Sequence, residues 1–135
     1  MLRAFNTYGK EANKELRNAS RKIAQDTVTQ STALGESIGR QAGLVATTLR
    51  TRSDRVPSLV VGGSKRVGSR GKPAGAFLFG AEFGGGRSPR TRQFLPHRGT
   101  TGYFLFPTLR ARGHKDTMLY LKALDDLGDK WAKVK

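Results

Sequence analysis

Cysteine is absent from the chain. No disulfide, thiolate zinc site or cysteine nucleophile is therefore available to it. Histidine is scarce: His97 and His114 are the only two, so a three-histidine metal site is excluded as well. Long apolar runs are missing. The longest covers about five residues, against the roughly 20 that a membrane span needs. The opening MLRAFNTYGKEANKEL holds no apolar stretch of the about 7–15 residues that a secretory signal requires, so synthesis in the cytosol is expected. Acid is scarce too. Ten Asp plus Glu face 25 Lys plus Arg, a formal charge of +15.

What is present suits one domain over residues 1–135, with a modest core from 36% hydrophobic residues and many bends from 17 glycines. The charge is uneven. Residues 61–106 hold eight basic groups and a single acid, Glu82. Such a field attracts phosphate backbones or acidic protein surfaces and carries no sequence readout.

Residues 10–52 read as helix within an N-terminal helical region, 1–55. Leu16, Ala19 and Ile23, then Leu34, Ile38, Ala42, Val45 and Leu49, repeat at helical spacing. Between them DTVTQST, residues 26–32, is polar and β-branched, and predicts a kink or break. An unbroken helix of that length would reach roughly 60 Å. A compact domain of this size is about 35–40 Å across, so the helix must break or project. Gly35, Gly39 and Gly43 fall on one stripe. They either end a poor helix or permit close packing against a sheet or a neighbouring subunit, and the spacing favours packing.

Residues 56–135 read as a small antiparallel sheet with glycine-rich basic loops and a C-terminal helix, giving an α+β fold. Residues 58–61, 76–83 and 103–106 are the strand candidates. Residues 64–75 read as a basic loop or hairpin tip, and 84–93 as a flexible loop. Lys65, Arg66, Arg70, Lys72, Arg87, Arg90 and Arg92 on these loops are candidate contacts to DNA or a protein partner. The last helix opens at Pro107, or near Lys115 if Gly113-His114 is irregular. Tyr120, Leu124, Leu127 and Trp131 form its apolar face. With the N-terminal helix standing away, only about 80 residues remain for the core, and association is one way to stabilise so small a unit.

Catalytic patterns are missing. Gly63 to Gly68 has the gap of a phosphate-binding loop but runs on into Ser69-Arg70, and Gly71-Lys72 runs into Pro73. His97 and His114 sit among cations. Asp125, Asp126 and Asp129 read as a solvated helix face. No enzymatic activity and no cofactor are expected. Glu82 would be costly to bury alone, which predicts an ion pair with Arg98 or Arg110.

The run from Phe79 to Trp131 carries a recognisable string: Gly80-Ala81-Glu82-Phe83-Gly84, then Gln93-Phe94-Leu95-Pro96-His97-Arg98-Gly99, then Gly102-Tyr103-Phe104-Leu105-Phe106-Pro107-Thr108-Leu109-Arg110. Its order resembles the head–tail joining or tail-completion (neck) proteins of long-tailed double-stranded DNA bacteriophages. The resemblance implies a structural virion protein of the neck or upper tail. It would assemble as a ring of six or twelve copies and contact neighbouring neck and tail proteins and genomic DNA in the channel, with no membrane partner. The alternative is a basic nucleic-acid-binding structural module. Against it, aromatic residues are not interleaved with the basic runs, and Phe77, Phe79, Phe104 and Phe106 read as buried.

Overall fold

The computed structural model describes residues 2–85 and 93–133, the side chain of Leu2 excepted. The fold is α+β and mostly helical. Helix α1 (Leu2–Ile38) is followed by α2 (Arg40–Ala46), β1 (Arg50–Thr51), β2 (Leu59–Val60), β3 (Arg66–Val67), β4 (Lys72–Pro73), α3 (Leu78–Phe83) and α4 (Leu105–Ala132). Strands β1 and β2 pair antiparallel, as do β3 and β4, in two separate two-stranded ribbons.

Helix α1 does not break at 26–32. The residues that weaken its propensity are the ones it buries: Thr27, Val28 and Ser31 face inward together with Ser20, Ile23 and Ala24. Tertiary packing thus overrides local preference. The partner is α4. Thr27 meets Asp116 at 2.9 Å, and Glu15 meets Lys130 at 2.5 Å, so the two helices run antiparallel. At 1.5 Å per residue α1 is about 55 Å long and α4 about 42 Å. The first turns of α1 extend past the end of α4, and Phe5 there is 73% exposed. The helix projects.

The break falls at Gly39, whose extended backbone (φ 165°, ψ 173°) separates α1 from α2. Helix α2 then folds back on α1, which corrects the single glycine stripe. Gly35 is the close-approach position: a Cβ there would collide with the Ala46 methyl and sit 3.3 Å from the Phe104 ring. Gly39 has open space around it, and Gly43 only ordinary contact with Glu36. The packing lies inside one chain, against α2 and Phe104. The helical region also ends earlier than residue 52, because Arg50–Thr51 is strand β1.

The core is Val28, Ala42, Val45, Ala46, Leu49, Ala81, Phe104 and Leu105. It sits where α2 and α3 close the base of the α1–α4 pair. Two strand candidates are overturned here. Residues 78–83 are helix α3, because a helical turn directs Ala81 and Glu82 inward and stacks Phe79 on Phe83. Residues 103–106 lead into α4, which starts at Leu105 rather than at Pro107 or Lys115. Pro107 fits in its first turn, where an N–H has no helical partner to lose. Gly113 and His114 lie within regular helix.

Candidate functional site

Among the described residues Glu82 is the most buried ionisable group, 1% exposed. Its carboxylate accepts backbone N–H groups from the start of α4: Leu105 to Oε2 at 2.9 Å, Phe106 to Oε1 at 2.9 Å and, more weakly, Phe104 to Oε2 at 3.3 Å. A charge placed at the positive end of a 28-residue helix needs no cation beside it. The expected pair with Arg98 or Arg110 does not form. Arg98 lies over the Tyr103 ring, 4.6 Å from its centroid, and Arg110 donates to the Thr101 carbonyl. Gly102 completes the arrangement. Its φ of +76° favours glycine, and a Cβ would intrude on Glu82 Oε1. Glu82 therefore builds the fold and is unavailable for chemistry.

A second buried cluster joins the long helices. Arg112, 5% exposed, donates through Nη2 to Asp116 Oδ1 at 2.8 Å and through Nε to Thr27 Oγ1 at 3.2 Å. Asp26 lies 3.7 Å from the same guanidinium. Thr27 donates its hydroxyl to Asp116 in turn. On the outer face of α4, Lys122 donates to Asp126 at 2.8 Å, and that bond and charge hold its ammonium above the ordinary lysine value.

The candidate contact residues on the hairpin are where a partner could reach them. Lys65, Arg66, Arg70 and Lys72 are all exposed on the β3–β4 ribbon. Arg66 is partly committed, donating to the Gly71 carbonyl at 2.7 Å across the turn. Arg70 and Lys72 face a groove of about 490 Å³ whose other wall is α2, with Arg40, Gln41 and Leu44. Arg40 was not among the sequence candidates. Its position after Gly39 would have identified it had the chain reversal been anticipated. Arg87, Arg90 and Arg92 lie outside the described residues. His97 and His114 are exposed. Among the described residues no cluster of three or more His, Asp or Glu could hold a metal ion, and no helix is long and apolar enough to cross a membrane.

The outer surface also carries aromatic groups expected inside. Phe104 is fully buried, but Phe79 is 72% exposed and Phe106 41%. Phe79 stacks on Phe83 at 6.3 Å between centroids, and Phe83 meets Phe106 at 5.4 Å. These three rings form a ladder from the base of α4 to solvent. Along α4 it is joined by exposed Leu109, Leu124 and Trp131. Beside Leu109 and Tyr120 a shallow groove of about 310 Å³ opens against Pro57 and Leu59.

Compared with protein families, with curated proteins and with solved structures, the chain matches none.

Proposed function

We propose that the chain is a structural virion protein of a phage neck or upper tail, which packs with copies of itself and joins the head connector to the tail. The observation that carries this reading is the exposed Phe79–Phe83–Phe106 ladder. Burying such rings against a protein surface is favourable, and aromatic groups are enriched at interfaces. The motif order from Gly80 to Arg110 supports the same assignment, since it is the part of the sequence that resembles neck proteins.

The test is the mass of the full chain by light scattering across a range of concentrations. A closed oligomer of the 14.7 kDa chain is expected, with Phe79→Ser shifting it toward monomer. A strict monomer, unchanged by that substitution, refutes self-assembly. In the phage that encodes the chain, its deletion should leave filled heads and separate tails in electron micrographs; joined particles refute the neck assignment.

A second reading, a basic nucleic-acid-binding structural module, is supported by the cationic groove between Arg40, Arg70 and Lys72. A duplex-binding affinity that falls steeply with salt would favour it, and a flat response would dismiss it.

A further inference from the structure

The hairpin is not the most regular basic surface of the molecule. Arg3, Lys10, Lys14, Arg17 and Arg21 are all exposed on α1. At 100° per residue they lie within about 60° of one another. They form a row on the side turned away from Leu16 and Ile23, which pack toward α4. Successive cations from Lys10 to Arg21 rise by about 4.5–6 Å, and the row from Arg3 to Arg21 measures about 27 Å. None of the ion pairs among the described residues uses any of them. Glu15, on another side of the helix, is taken by Lys130.

The connection between β1 and β2 adds to this face. It is fastened by the Arg55 carbonyl, which accepts from Ser20 Oγ at 2.8 Å and Tyr120 Oη at 3.0 Å. Ser53 is thereby brought beside α1, and together with Lys10, Asn13, Lys14, Arg17 and Asn18 it lines a trough of about 420 Å³. Exposed Arg52 and Arg55 flank Ser53 in the same connection, and its acid, Asp54, accepts the backbone N–H of Arg55.

We infer that this face of α1 is a docking track for the phosphate backbone of duplex nucleic acid. A straight row of unpaired cations suits a polymer of fixed charge spacing. Duplex DNA offers a phosphate every about 3.4 Å of axis on each strand, enough along 27 Å to engage every cation of the row. Asn13, Asn18 and Ser53 supply neutral donors for phosphate oxygens. No aromatic ring lies in the row or lines the trough, so stacking on the unpaired bases of a single strand has no support there. A membrane surface is disfavoured from about Glu15 onward, behind Arg17 and Arg21, because α4 occupies the apolar side of the helix there. The inference goes beyond the neck assignment and does not rest on it.

The experiment uses the full chain and a labelled 30-bp duplex of arbitrary sequence, read by fluorescence anisotropy between 50 and 200 mM salt (about the range over which such contacts respond). Neutralising four to five phosphates predicts a slope of about −4 in log affinity against log salt. Replacing Lys10, Lys14, Arg17 and Arg21 together with Gln should weaken binding at low salt by about 100-fold and flatten the slope by about 3.6. Circular dichroism should be unchanged, because these side chains are exposed and unpaired. Wild-type-like binding by this variant overturns the inference. So does a loss confined to the variant with Arg66, Arg70 and Lys72 replaced by Gln. Displacement of the duplex by polyglutamate at equal charge, or tighter binding to phosphatidylserine vesicles than to the duplex, would point to an acidic protein or a membrane and overturn it equally.

Discussion

Removing the Glu82 carboxylate should destabilise the protein severely. Glu82→Ala leaves the Leu105 and Phe106 N–H groups without their acceptor at the start of α4. Each unsatisfied donor costs about 1–3 kcal/mol, and loss of the charge at the helix end adds up to about 1 kcal/mol. The vacated volume adds a cavity term. A total of about 3–5 kcal/mol is a large share of the about 5–15 kcal/mol that holds a domain together. Gly102→Ala acts on the same place from the other side, because its methyl would press on Oε1 while its φ of +76° strains any L residue. With the carboxylate already gone the methyl has room, and only the backbone strain of about 1–3 kcal/mol remains. The two substitutions should therefore be less than additive. Urea unfolding followed at 222 nm measures all three variants. A loss below about 1 kcal/mol for Glu82→Ala, or strict additivity in the double variant, would refute the capping argument.

Arg112→Ala should cost about 3–5 kcal/mol by leaving Asp116 beside α1 without its cation, and replacing both with Leu should recover most of the loss in thermal melts. Gly35→Ala should cost about 1–3 kcal/mol through the clash with Ala46, whereas Gly39→Ala should stay within about 0.5 kcal/mol, by the same assay. Ser31 Oγ is buried without a hydrogen-bond partner, so Ser31→Ala should be neutral or raise the melting temperature.

Much of the architecture was legible in the sequence and some of the site was not. The two long helices followed from apolar residues at helical spacing, and the hairpin from its glycines and basic residues. The 26–32 segment misled because propensity is a local quantity, while Thr27 and Ser31 owe their helical state to α4 and the core. Phe79 misled for a related reason: an aromatic run reads as core whichever element it forms. Once 78–83 is helix, Phe79 points out and Glu82 points in. Glu82 was rightly singled out as a buried acid needing a partner. Its partner is backbone, and a sequence displays the side chains that form ion pairs but not the helix ends that replace them. The row on α1 was visible in principle at spacings of seven, four, three and four residues. It was obscured by reading charge as a sum over segments rather than by helical face.

The exposed surface divides into two parts that geometry keeps separate. The aromatic ladder belongs to α3 and the first turn of α4. The cationic row lies on α1, on the side turned from α4. Copies that pack through the ladder would leave the row open, so assembly and nucleic-acid binding should separate by mutation. Phe79→Ser is expected to lower the mass in light scattering while preserving the salt slope of each chain's duplex binding. The α1 glutamine variant is expected to lose the slope while keeping the mass. If either variant alters both readouts to a similar extent, the two surfaces are coupled, and the division drawn from their placement on opposite parts of the helix pair is wrong.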